Sequence, residues 1–131
     1  MTLSDIRDYI ASFGLAQTVF MAKADPKTEQ SIGVYNSKHT HVYSVAIGGK
    51  ALESYGVRYV SFLVHWNKSP RQTETATKAL FDALQNTREA VINNKTIKFI
   101  QLLYEPQDVG TDNAGICEQV IEAAVVYEKG A

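Results

Sequence analysis

The sequence predicts an α+β domain, in which one mostly antiparallel sheet carries two helices packed on one face. Two segments repeat apolar residues with helical spacing, and several others are rich in the β-branched and aromatic residues typical of strands. In chain order we expect a helix, two strands, an excursion, a strand, a helix, a hairpin and a last strand. With 131 residues the chain has room for one core, so we expect a single domain over residues 1–131.

The first helix is predicted from apolar side chains spaced i, i+3, i+4, i+7, which are Ile6, Tyr9, Ile10 and Phe13. Gly14 suits the left-handed position that ends a helix, with Leu15 folding back as its hydrophobic partner. Two short strands are expected next, at Thr18–Met21 and Ser31–Tyr35. A further strand could follow at Val42–Ile47, before a glycine pair that breaks it.

The middle of the chain carries the clearest signals. The run Val57–Trp66 is rich in β-branched and aromatic residues and is typical of a central strand. A second helix is predicted to begin after Ser69, whose hydroxyl can cap it, with Pro70 at its first position. Gln72 is placed to complete a capping box, and the helix is expected to end near Gln85.

A hairpin and a last strand complete the predicted sheet. Ala90–Ile92 and Ile97–Tyr104 could pair across the turn NNKT, because asparagine tolerates positive φ, and Cys117–Tyr127 is expected to be the last strand. Two of the strands, Val57–Trp66 and Ile97–Tyr104, are apolar on both faces. Since two helices cover only one face, either the excursion at 36–56 or another subunit must cover the other.

The segment LLYEPQDVGTDNAGICEQV, residues 102–120, looks most like a binding site and fails each test for one. An EF-hand starting at Asp108 lacks most of its oxygen ligands, and a Walker loop would need a Gly-Lys-Ser/Thr ending. We therefore expect a long turn, in which Pro106 ends a strand while Gly110 and Gly115 take special φ values.

Other candidate sites are also weak. His39 and His41 have a spacing that suits a metal, but no third ligand lies nearby in the sequence. We expect His65 to be a partly buried structural residue and Cys117 a small core residue. The acidic residues of the last strand are expected to form a solvated face: Glu118, Glu122 and Glu128. The sequence thus predicts no catalytic residue, no metal site and no cofactor.

Charge and composition exclude further classes. A formal net charge of −1 argues against a dedicated nucleic-acid binder, which needs a basic face to neutralise phosphates. No apolar run approaches the roughly 20 residues that cross a bilayer. Cys117 is the only cysteine, so no disulfide can form within the chain.

The pattern Pro106-x-x-Val109-Gly110-x-Asp112-x-x-Gly115, followed by a strand, resembles the C-terminal signature of a phage family. This family comprises the minor capsid, or tail terminator, proteins of long-tailed phages that infect Gram-positive bacteria. The order of the preceding segments agrees, from DIRDYIASFGL through TVFMAK and SIGVYN to VRYVSFLVHW and SPRQTETATKALFDALQN. One departure is the sequence His-Trp-Asn at 65–67, where the family leads us to expect a basic residue.

The resemblance implies a structural role. Such proteins form a ring, usually six-fold, on the last layer of the tail tube, where the ring stops polymerisation and offers a face to the filled head. The implied partners are other copies of the chain, the tail-tube protein and the head connector or head-closure protein, with DNA passing through unbound. The implied location is the tail end of the virion at the head–tail junction, and the host cytoplasm during assembly.

Loops are the expected source of assembly contacts, because they carry variable surface chemistry. The candidate contact residues are His39, His41, Lys50, Gln107, Asp108, Asp112 and Asn113. Two other classes remain open from the sequence. One is a head-side neck protein, such as a head-closure or adaptor protein; the other is a small α+β ligand-binding or regulatory domain, which would need a concave pocket.

Overall fold

The computed structural model describes residues 1–21, 29–37 and 55–128. The helices are α1 (Leu3–Ser12) and α2 (Pro70–Gln85). The strands are β1 (Thr18–Met21), β2 (Ser31–Asn36), β3 (Tyr55–His65), β4 (Arg88–Ile92), β5 (Lys95–Leu102), β6 (Gln107–Thr111) and β7 (Cys117–Glu128). Neither helix is long and apolar enough to cross a membrane. The strand expected at Val42–Ile47 lies outside the described residues.

The seven described strands form one sheet in the order β1-β2-β3-β7-β5-β4, with β6 also paired to β7. The long strand β7 pairs with β3 along one side over its whole length. On its other side, β6 occupies the first half and β5 the second, so that these two strands lie end to end. The pairing is antiparallel except between β1 and β2, which confirms a mostly antiparallel sheet.

The core lies between the two helices and one face of this sheet. Alternate residues of β3 point into it, and Val60, Phe62 and Val64 have no exposed surface. Burying a side chain of this size contributes about 1.5–3 kcal/mol. The other members of this cluster come from both helices and the flanking strands: Leu3, Ile6, Ile10, Val19, Ile32, Val34, Leu80, Leu84, Ile97, Ile100, Ile121, Ala123 and Val125. The predicted class, α+β with two helices on a sheet, is confirmed.

The face of the sheet away from the helices is less well covered by described residues. Tyr59 and Leu63 are half-buried, while Phe99 is 41% exposed. Residues 38–54 are not described, so the expectation that this excursion or another subunit covers the face stays a prediction.

Both ends of α1 are fixed by local hydrogen bonds. Thr2 and Asp5 form a complete capping box, with the Asp5 amide donating to the Thr2 hydroxyl at 3.1 Å and the Thr2 amide to the Asp5 carboxylate at 2.8 Å. Gly14 has φ of 68°, as the predicted helix end requires. Lys95 contacts the same carboxylate at 2.6 Å, which ties α1 to the start of β5.

The start of α2 is capped as predicted, but its capping box is not completed as expected. Ser69 Oγ accepts from the Gln72 amide at 3.3 Å, and Pro70 holds the first helical position. The side chain of Gln72 accepts from Asn67 Nδ2 at 2.6 Å, and Asn67 Oδ1 receives the Ser69 amide at 2.9 Å. The Ser69 amide therefore donates to the side chain of Asn67, and not to the side chain of Gln72 as a capping box requires.

The β4–β5 hairpin confirms the expected asparagine turn. Asn93 and Asn94 have φ of 51° and 63°, the left-handed values that a two-residue turn of this kind needs. The register runs from Ile92 opposite Lys95 back to Ala90 opposite Ile97. β4 begins two residues before the predicted Ala90. β5 begins two residues before the predicted Ile97 and ends at Leu102, two residues before the predicted Tyr104.

The turn expected in residues 102–120 is interrupted by a strand. Residues 107–111 form β6, paired with the half of β7 that β5 leaves free. Gly110 and Gly115 have φ of 90° and 83°, which confirms their special backbone conformations. The prediction of an uninterrupted turn was wrong because β6 is held by its backbone pairing to β7, while all five of its residues are exposed. Such a strand shows no hydrophobic alternation.

Candidate functional site

The β6–β7 hairpin brings together four of the predicted contact residues. Gln107 and Asp108 lie on β6 and are exposed, and Asn113 is exposed in the turn that follows. Asp112 lies in the same turn and is half-buried. The other three candidates fall outside the described residues, and these are His39, His41 and Lys50.

Asp112 is the hydrogen-bonding centre of this hairpin. Its Oδ1 atom accepts from the amides of Ala114 at 2.8 Å and Ile116 at 3.0 Å. Its Oδ2 atom lies 2.8 Å from Nε2 of His65, the last residue of β3. The hydrogen bond from His65, followed by that from the Ile116 amide, lowers the pKa of the Asp112 carboxyl. The carboxylate therefore braces the turn against β3, and its role as an assembly contact stays a prediction.

Ser31, His65 and Asp112 together have the composition of a hydrolase triad but not its accessibility. Ser31 Oγ lies 3.5 Å from Nδ1 of His65 and 3.4 Å from the His65 carbonyl oxygen. Ser31 has no exposed surface and His65 is 2% exposed. Because a nucleophile must reach its substrate, this set cannot work as one. His65 is a buried structural residue, as the sequence indicated.

The acidic face expected on β7 is not solvated as a whole. Glu122 is 4% exposed and accepts hydrogen bonds from the hydroxyls of Ser61 and, at 3.4 Å, Ser37. Glu118 is half-buried, and burial raises the pKa of its carboxyl. Only Glu128 is exposed. The expectation was wrong for Glu122, because this residue lies on an inner strand and has serine partners on β3 and just after β2.

Cys117, the first residue of β7, is half-buried opposite Thr111, so it is less enclosed than the core position expected from the sequence. Within the part of the chain that the structure describes, no three His, Cys, Asp or Glu side chains are grouped to hold a metal ion.

Two open hollows flank α2. A groove of about 530 Å³ separates α2 from β6, and its acidic lining residues are Glu74, Asp82, Glu105 and Asp108. Lys78 also lines this groove and is paired with Asp82 at 3.2 Å. The second hollow, of about 440 Å³, lies on the other side of α2 and is mostly apolar, with Leu15, Trp66, Ala76 and Ala79 in its lining. Arg71, Gln72 and Thr75 complete its lining.

Fold and site together define a small α+β protein whose buried polar groups brace its own strands. A sequence model of the bacteriophage tail terminator protein family matches residues 9–129, so the chain belongs to that family. It is a structural component of a phage tail and not an enzyme.

A solved structure agrees at the level of the fold. A chain in the virion of a native gene transfer agent (GTA) particle is similar, with a TM-score of 0.53 and 16% sequence identity. The similarity covers 92% of this chain and 84% of that chain. A comparison with curated proteins gave no match.

Two features of the site were missed from the sequence. One is Ser31, which lies beside His65 only because β2 pairs with β3. The other is Val109, a 51% exposed side chain on β6. The sequence does show a valine between Asp108 and Gly110, but we assigned the whole segment to a turn and did not consider an exposed apolar side chain there.

Proposed function

We propose that the protein caps the end of the phage tail tube as a closed ring of identical subunits, stops tube polymerisation and presents a surface for the filled head. The match to the tail terminator family over residues 9–129 carries this proposal. The fold shared with a chain of a gene transfer agent virion supports a place in an assembled particle. Six copies are the expected number, from the symmetry common in tails.

The partners follow from this role. Each copy contacts two neighbouring copies, the tail-tube protein lies on one side of the ring, and the head connector or head-closure protein lies on the other. A formal net charge of −1 fits a ring through which DNA slides, because a strongly basic ring would grip the phosphates. The finished ring is at the head–tail junction of the virion, and assembly takes place in the host cytoplasm.

The β6–β7 hairpin is proposed as one contact surface. Gln107, Asp108 and Asn113 are exposed and can meet another protein directly. Asp112 acts through the shape of the turn, because its carboxylate is bonded within the chain. The proposed contacts at His39, His41 and Lys50 rest on the sequence alone.

Electron microscopy of a phage lysate that lacks this protein tests the proposal. Overlong tubes beside tailless heads are the expected result, because nothing would end tube growth. Normal-length tails that fail to attach would overturn it in favour of a head-side neck protein. Normal-length attached tails would overturn it in favour of the ligand-binding class.

A further inference from the structure

We propose that neighbouring copies in the ring meet through a knob and a hole, with Val109 of one copy seated in the hollow lined by Trp66, Ala76 and Ala79 of the next. This inference rests on the ring proposed above and specifies how its subunits join. The occupant of the hollow is thus a second copy of this chain.

The knob is held in a defined position. The register between β6 and β7 shifts between Asp108 and Gly110, so Val109 has no partner opposite it on β7. The Gly110 amide donates to Asp108 Oδ1 at 2.8 Å, which fixes the backbone on both sides of the valine. Val109 is 51% exposed in a strand whose other residues are polar or glycine. An apolar side chain that is held in place on an otherwise polar strand can enter an apolar hollow of another protein.

The hole has matching chemistry. Ala76 and Ala79 on α2 are small, and the space beside them, about 440 Å³, is bounded by the larger side chains of Leu15 and Trp66. The hollow has more apolar than polar lining, and its one charged lining residue, Arg71, would meet the carboxylate beside the incoming valine.

The charges around knob and hole are complementary. Asp108 directly precedes the knob in β6 and shares a groove with Glu105, and neither carboxylate forms an ion pair with another described residue. Arg71 lines the hole, Lys68 precedes it by three residues in the sequence, and both are exposed; within the described ranges neither has an ion-pair partner. Docking the knob would bring carboxylates of one copy toward cations of the next, which favours this pairing over knob against knob.

Val109 is absent from the lining of the hollow, so within one copy the knob does not fill the hole. Each copy therefore places its Val109 in the hollow of one neighbour, and its own hollow receives Val109 of the other neighbour. Repetition of such a heterologous contact closes a ring when the rotation fits, as a tail cap requires.

Cysteine cross-linking in purified tails tests the contact, because tails contain the protein as it is assembled. The test variant combines Val109→Cys and Ala79→Cys in a Cys117→Ala background. Mild oxidation should give a ladder of multimers, since a disulfide forms only between Cβ atoms about 3.5–4.5 Å apart. The matched control replaces Val109→Cys with Val91→Cys, at a 69% exposed position on β4, and should give no ladder.

Assembled tails that give no ladder with the test pair would overturn the proposed contact. A cross-link to a different protein, or equal ladders from test and control, would overturn it as well. These results leave the capping proposal untouched, because that proposal is decided by tail length in the lysate without the protein.

A second pair of variants covers the case in which the cysteines impair assembly. Val109→Asp places a charge in the apolar hollow and should lower phage titre at least about tenfold. Val91→Asp, at the more exposed position on β4, should leave the titre unchanged. Melting curves of the purified proteins check that both variants fold. Equal titres for the two folded variants would contradict the contact.

Discussion

Single carboxylates join segments that are far apart in this chain. Asp112 connects the β6–β7 turn to His65 at the end of β3, and Asp5 connects α1 to Lys95 at the start of β5. In each case a charged group is bonded to a partner and to backbone amides, which is the arrangement that makes partial burial of a charge tolerable.

Asp112→Ala should lower the melting temperature by several degrees. The substitution leaves the buried Nε2 atom of His65 and the amides of Ala114 and Ile116 without their acceptor. The chain should still fold, because such losses are a fraction of the total stability of a domain. The control is Asn113→Ala, at the exposed neighbouring position, which should melt near the wild type. Identical melting of both variants would show that Asp112 is no brace.

Asp5→Asn should lower the free energy of unfolding at pH 7 by about 1.5–3 kcal/mol, the range for hydrogen bonds to a charged group. Asn keeps an oxygen for the Thr2 amide but loses the charge that pairs with Lys95. The hydrogen bond from Lys95 is the main cause that lowers the pKa of the Asp5 carboxyl.

The same variant gives a pH dependence with a definite sign. A carboxyl whose pKa is lower in the folded than in the unfolded state adds stability above its unfolded pKa, about 3.9, and loses it as pH falls toward the folded value. Urea denaturation should therefore show the difference between wild type and Asp5→Asn shrinking below about pH 4. A difference that stays constant from pH 7 to pH 2 would contradict the charged pairing.

At the scale of elements, the spacing of apolar residues, the capping residues and the β-branched content predicted both described helices and most of the described strands. Both helices have their first residue beside a capping side chain, β3 is rich in β-branched and aromatic residues, and β7 combines such residues with alanine. The strand β6 could not be predicted, because it buries none of its own side chains and is defined by the space that β5 leaves along β7. Tertiary pairing, not local propensity, makes it a strand.

Gly33 on β2 is an element-scale constraint, because two aromatic rings occupy the place of its side chain. A methyl group there would lie 2.5 Å from Cε2 of Phe20 on β1 and 2.7 Å from Cε2 of Tyr35. Gly33→Ala should therefore lower the free energy of unfolding by about 1–3 kcal/mol, measured by urea denaturation. The shorter side chain in Phe20→Leu should recover part of that loss in the double variant. Strictly additive effects would show that the rings do not cause it.

At the scale of the whole molecule, the sequence predicted the fold class and the absence of catalysis better than it predicted the surface. The fold follows from residues that repeat in the chain, such as the alternation through Val60, Phe62 and Val64. The partners of buried polar groups do not follow from such repeats. Ser61 meets Glu122 only because β3 pairs with β7 in one particular register. The two sides of α2 likewise differ because of what packs beside them, Leu15 and Trp66 on one and β6 on the other.

Cryo-electron microscopy of intact particles tests the central claim, a ring cap on the tail tube, most directly. We predict one closed ring of this chain, with six copies expected, between the last layer of the tube and the head connector. In that ring β6 of each copy should face α2 of the next. Density for the chain repeated along the tube, or found only inside the head, would contradict the cap.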